Sequence, residues 1–168
     1  NQMVKTIHAP KDKKATIAIV GKYFTTGEYQ LRDSYAALID AIDHASWQTG
    51  VDITLNWVNA EELETEDPKK MLGRASGVIV PIGWGVRGVE GKIRAIEYAR
   101  VNKVPYLGLC YGMQLVVVEY ARHVLGLKDA HTVECDPQTQ NPVIHMIEGQ
   151  AEIMKRRAYG GTMRLGNW

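Results

Sequence analysis

Val104-Pro105-Tyr106-Leu107-Gly108-Leu109-Cys110-Tyr111-Gly112-Met113-Gln114 is the stretch on which the reading of this chain turns. An apolar run, residues 106–109, leads straight into Cys110, and a helix-like segment covers residues 112–125 directly after it. A cysteine bracketed by Gly108 and Gly112 at a strand-to-helix junction is the thiol form of a nucleophile elbow. The glycines permit a tight turn and the close approach of a substrate. The helix start directs unsatisfied N–H groups at the sulfur, which favours a thiolate. A plainer reading stands beside it, because a free cysteine is often simply a small core residue.

Working outward, the upstream chain alternates strand and helix patterns. Residues 15–20, Ala-Thr-Ile-Ala-Ile-Val, are short, β-branched and apolar, as in a buried parallel strand. A polar loop containing Gly27 leads to a helix expected over residues 33–45, with Asp33 as its cap and Ala36, Ile39, Ile42 and Ala45 on one face. Val51, Ile53, Leu55 and Trp57 alternate with polar residues and predict a second strand, nearer the sheet edge. An acidic loop or helical turn at 60–67 and a short helix over 68–74 follow. Residues 77–80 form a third strand, 81–88 a glycine-rich loop, and 89–102 a helix through Ile93, Ile96 and Ala99. The helix after Cys110 carries Leu115, Val118 and Ala121 on one face. Met113 and Val116 to Val118 make it apolar enough to be covered by protein on most sides. The whole is an α/β fold, a mostly parallel sheet with helices on both faces, of flavodoxin-like type. Ligands bind such folds at the carboxyl ends of the strands, where the 81–88 and 110–112 loops lie.

Composition narrows the function classes. The chain has 168 residues, 45% of them hydrophobic, which suffices for one domain with a core. Net charge is +1 with the basic residues scattered, so no nucleic-acid partner is expected. Cys110 and Cys135 have no metal-ligand spacing, and no metal site is expected. No apolar run reaches membrane-spanning length, which points to a soluble, cytoplasmic protein with no membrane partner. Residues 1–14, with His8, Pro10 and four lysines, read as a linker or tail, and residues 15–168 as the domain. The pattern weakens after Gly126.

A thiolate attacking a carbonyl needs an oxyanion hole and a general base. The backbone N–H of Tyr111 is one donor, and the Pro81-Ile82-Gly83-Trp84-Gly85 loop is the natural source of a second. Gly108-Leu109-Cys110-Tyr111-Gly112-Met113-Gln114 resembles the nucleophile motif of class I glutamine amidotransferases. Residues 81–91, Pro-Ile-Gly-Trp-Gly-Val-Arg-Gly-Val-Glu-Gly, resemble a loop of the CTP synthase branch of that family. So do Ile19-Val20-Gly21-Lys22-Tyr23 and Gly160-Gly161-Thr162-Met163-Arg164-Leu165-Gly166. The resemblance implies a glutaminase domain that hydrolyses glutamine through a Cys110 thioester. The ammonia would serve ATP-dependent amination of UTP to CTP in a synthetase domain, where ATP and Mg are expected; no cofactor is expected in the glutaminase domain itself. The resemblance further implies oxyanion N–H groups at Gly83 and Tyr111. It implies glutamine contacts from Gly83, Trp84, Tyr111, Gln114 and Glu134, coupling between domains through Arg87 and residues 88–91, and a homotetramer.

The chain departs from the family in several places. The His-Pro-Glu motif that supplies the family's base has no counterpart among His8, His44, His123, His131 and His145. The chain therefore reads as an incomplete glutaminase domain, inactive or very slow on its own. Ile82 replaces a glycine, and a β-branched residue tolerates positive φ poorly, so Ile82 is expected to weaken the oxyanion hole. Tyr111 and Trp84 replace leucine and phenylalanine and are expected to narrow the pocket. The alternatives are a non-catalytic amidotransferase-like module that binds or regulates a synthetase partner, and another hydrolase or chaperone with a cysteine elbow.

Overall fold

The computed structural model describes residues 2–22, 25–26, 29–30, 35–147, 149, 152 and 155–156. The proposed cap Asp33, the loop glycine Gly27, Tyr23 and the 160–166 motif lie outside them. The elements run α1 (Gln2–Ile7), β1 (Lys13–Gly21), β2 (Thr25–Thr26), β3 (Tyr29–Gln30), α2 (Ala36–Thr49), β4 (Val51–Asn59), a 3-10 turn (Glu62–Glu64), α3 (Pro68–Leu72), β5 (Gly77–Val80), α4 (Val89–Val101), β6 (Tyr106–Gly108), α5 (Tyr111–His123), β7 (His131–Thr132) and β8 (Pro142–Ile144).

The main sheet is parallel, in the order β4-β1-β5-β6. Alternation along its strands divides the core in two, because successive side chains leave opposite faces. Ala18, Val20, Val78 and Val80 pack with Ile93 and Ile96 of α4 and Leu115 and Val118 of α5. Ile19 and Ile79, one residue out of phase, pack with Ile42 of α2 and Tyr35 on the other face. β5 is thus buried on both sides, which explains its unbroken run Gly-Val-Ile-Val. Each such aliphatic side chain contributes about 1.5–3 kcal/mol on burial. β4 is the edge strand that its alternating pattern predicted.

The strand order reverses direction between β1 and β5, and in a doubly wound sheet that is where a ligand crevice opens. The segments leaving β1, β5 and β6 there contain Lys22, the Pro81 loop and Cys110.

Two expectations need correction, and one weakly patterned stretch acquires structure. Residues 1–14 are more than a linker: α1 lies against α2, and β1 begins at Lys13, paired with Val51. A six-residue helix is too short to stand alone, and only its contact with α2 reveals it. α5 is not covered on most sides, for Met113, Val117 and Tyr120 are exposed while Leu115, Val118 and Ala121 are buried. After Gly126, where the sequence pattern weakens, β7 and β8 form a small parallel pair.

A charged clamp joins α4 to α5. The Glu119 carboxylate is almost fully buried and accepts hydrogen bonds from Arg100 at 2.7, 3.0 and 3.1 Å. His123 Nδ1 lies 3.1 Å from the same carboxylate, one helical turn on.

Candidate active site

The elbow is built as its glycines suggested. Cys110 sits at the N-cap of α5 with φ 53° and ψ −103°, a conformation that costs a non-glycine residue about 1–3 kcal/mol. It is exposed. The strain is held by contacts on both sides of the cysteine. Leu109 N–H donates to Val80 O at 3.0 Å, and Gly112 N–H donates to Leu109 O at 3.1 Å. The Tyr106 hydroxyl donates to Gly112 O at 2.9 Å. A Cβ on Gly112 would lie 2.0 Å from Val80 O, and one on Gly108 would lie 2.6 Å from Gly112 C and Met113 N. Both glycines are therefore required by the approach of backbone to backbone, which brings the first turn of α5 onto the end of β5. Tyr111, the first helical residue, has an N–H without an intrahelical acceptor, next in sequence to the sulfur.

The second half of the site is the loop leaving β5. Val80 pairs with Gly108, so the Pro81 loop and the Leu109–Cys110 turn start side by side. Gly83 has φ 153° and Gly85 φ 86°. Four side chains from other parts of the chain grip this loop. The Tyr35 hydroxyl donates to Ile82 O at 3.2 Å, Lys92 Nζ to Gly83 O at 2.9 Å, and Lys22 Nζ to Trp84 O. The Glu134 carboxylate accepts from Gly85 N–H at 2.8 Å. Lys92 is fully buried and also lies 5.4 Å from the centre of the Tyr111 ring. Burial, with the neighbouring Lys22 charge, lowers the Lys92 ammonium to about 8. Lys22 is lowered too, by burial first and then by Arg87.

The structure brings most of the expected residues to this crevice. Gly83 and Trp84 lie in the loop, Glu134 is bound to its Gly85 N–H, and Trp84 is 45% exposed. Gln114 is half-buried in the first turn of α5, its N–H donating to Cys110 O at 3.2 Å. Tyr111 differs from expectation. Its side chain does not narrow a pocket: it is fully buried, with its hydroxyl 2.8 Å from Cys135 Sγ, so only its backbone can serve a substrate. Burial and the contact with the thiol raise the Tyr111 phenol well above its ordinary value.

Ile82 also differs. The non-glycine residues at positive φ among those described are Lys103 and Cys110, so Ile82 carries no such strain; the positive φ falls on Gly83 and Gly85. Arg87 pairs with Glu61 at 3.2 Å and donates to Lys22 O at 3.3 Å. Among the described residues no histidine bonds Cys110: His123 is held by Glu119, His131 lies 3.6 Å from Glu90, and His44 packs on Trp47.

Sequence reasoning missed Lys22, Tyr35 and Lys92. Lys92 did leave a signal, since positions 89, 92, 93 and 96 share one helical stripe and the other three are apolar.

A strained cysteine at a βα turn thus lies beside a glycine loop that has a carboxylate bound to it. Over residues 30–167 the sequence matches Glutamine amidotransferase class-I, and the chain belongs to that family. Within it the chain is similar to CTP synthases. It is 49% identical over 164 residues to the CTP synthase of Nostoc punctiforme, covering 98% of this chain and 28% of that protein. It is 48% identical to that of Herpetosiphon aurantiacus, again over 98% of this chain and 29% of that protein. The solved structure of the Trypanosoma brucei CTPS glutaminase domain with bound acivicin superimposes with a TM-score of 0.71 at 34% identity, covering 80% of this chain and 50% of that one. The domain is thus homologous to the CTP synthase glutaminase domain. The chain spans less than a third of the length of the curated relatives it matches.

Proposed function

We propose that this chain carries the glutamine-hydrolysing site that supplies ammonia to CTP synthesis, and that on its own it is inactive or very slow. The observation that carries the reading is the placement of Cys110, at positive φ, beside the loop bearing Gly83. The Cys110 thiolate attacks the side-chain amide carbon of glutamine. The carbonyl oxygen becomes an oxyanion held by the N–H groups of Gly83 and Tyr111. Collapse breaks the C–N bond, the departing nitrogen takes up the proton that the thiol gave up, and ammonia leaves a γ-glutamyl thioester on Cys110. Water then releases glutamate. Glu134 suits the substrate ammonium by charge, while Trp84 and Gln114 border the substrate.

In the complete reaction the ammonia would displace phosphate from UTP activated by ATP and Mg in a synthetase domain, within a cytoplasmic homotetramer. A second reading, a non-catalytic module that binds such a synthetase, draws on the lack of any histidine bonded to Cys110 among the described residues.

Acivicin separates the two readings. Stoichiometric labelling of Cys110, slowed by glutamine and lost in Cys110→Ser, is the expected result. A folded chain that acivicin does not label, although iodoacetamide alkylates Cys110, would overturn the catalytic reading and leave the binding module.

A further inference from the structure

We propose that Tyr35, Lys92 and Lys22 are positioning residues that set the direction of three successive peptide groups in the oxyanion loop; this rests on the glutaminase reading given above. The three side chains bind three consecutive carbonyls, those of Ile82, Gly83 and Trp84. No peptide bond among the described residues is cis. In a trans peptide the C=O and the following N–H point in opposite directions. Holding the Ile82 carbonyl therefore aims Gly83 N–H, holding Gly83 O aims Trp84 N–H, and holding Trp84 O aims Gly85 N–H.

The third of these vectors has a visible target. Gly85 N–H reaches the Glu134 carboxylate at 2.8 Å, the residue charged with the substrate ammonium. The loop needs such outside control. Gly83 and Gly85 lack the Cβ that would restrict rotation, so each adjoining peptide could turn over at little cost.

The grip comes from three separate elements: Lys22 just after β1, Tyr35 at the N-cap of α2, and Lys92 in the first turn of α4. Lys92 matters most. An ammonium in a fully buried position is unfavourable unless bonded, and its bond to Gly83 O is charge-assisted. The same ammonium lies over the ring of Tyr111, the residue whose N–H is the second donor in the glutaminase reading.

The test uses the whole chain and two variants, Lys92→Met and Tyr35→Phe, the second removing a single hydroxyl. NMR order parameters of the Gly83 and Gly85 amides are expected to fall from about 0.85 to below about 0.6 in Lys92→Met, with β1 and β5 unchanged. A trifluoromethyl ketone analogue of glutamine, followed by 19F NMR as its adduct with Cys110, is expected to bind about 10-fold or more weakly to both variants. Alkylation by iodoacetamide, which forms no oxyanion, should stay within about twofold, a split that general loosening of the site would not give.

Unchanged order parameters would overturn the grip, and loosened amides with wild-type ketone affinity would overturn the positioning role. A wild-type chain that forms no adduct would sink the glutaminase reading instead, with the order parameters still deciding the grip.

Discussion

Replacing Gly112 by alanine separates the geometry of the elbow from the propensity of its helix. Gly112 is the second residue of α5 at an ordinary helical φ, so on propensity alone alanine should stabilise by about 1 kcal/mol. The added Cβ, however, would stand 2.0 Å from Val80 O and 2.9 Å from Val80 C. These are backbone atoms of a strand buried on both faces, so β5 cannot yield. The start of α5 must instead withdraw by about 1 Å to restore normal contact, which also loosens Leu115 and Val118 in the core. Overpacking of this kind costs about 1–3 kcal/mol; the shared backbone contact places it at the upper end, so the net loss is about 2 kcal/mol after the propensity gain. The midpoint of urea unfolding at unchanged m-value measures it. Because Cys110 lies two residues upstream, acivicin labelling should slow by about 100-fold, as expected for a 1 Å misplacement. A Gly112→Ala chain as stable as the wild type, or more so, would refute the steric account.

Three other outcomes follow from the same structure. Lys92 is lowered in the folded state to about 8 from an ordinary 10.5, so the folded chain releases this proton before the unfolded chain does. The penalty is full below about pH 8 and is relieved above it; relative to Lys92→Met, wild-type stability should rise by about 2–3 kcal/mol between pH 8 and 10. A flat difference in urea unfolding across that window would contradict it. Ile82→Gly should leave acivicin labelling within about threefold, since Ile82 is not at positive φ, whereas a gain of 10-fold or more would restore the sequence-based view of a compromised hole. Arg100→Met should cost about 1–2 kcal/mol by leaving the buried Glu119 carboxylate with His123 as its remaining partner in the clamp, and a loss under about 0.5 kcal/mol in thermal or urea unfolding would show that the clamp adds little.

The sheet was legible because burial leaves a simple trace. β5 showed an unbroken apolar run and β4 an alternating one, and Cys110 stood between glycines that had to be glycine. What escaped the sequence were contacts between distant segments. The short α1 depends on α2, and α5 turned out apolar on an exposed face as well as a buried one, a distinction that composition cannot make. Ile82 was misjudged because the sequence shows that a glycine has been lost but not which neighbour takes up the positive φ. The Tyr111 side chain was misjudged because the residue after an elbow nucleophile can turn its side chain to the core while its backbone stays at the helix start. Lys92 was hidden for the opposite reason: a charged residue on an apolar stripe reads as a long side chain reaching for solvent, when here its ammonium ends on a carbonyl inside.

That double allegiance of Tyr111 has a consequence for how such a sequence can drift. Its hydroxyl is committed to Cys135, twenty-four positions away, while its backbone opens α5 directly after Cys110. Positions 111 and 135 are therefore not free to wander separately. A lineage that exchanges the tyrosine for an aliphatic residue strands a thiol, and one that enlarges residue 135 pushes on the elbow itself. The two should be inherited as a pair, and a graft of this elbow onto a sister scaffold would have to carry both.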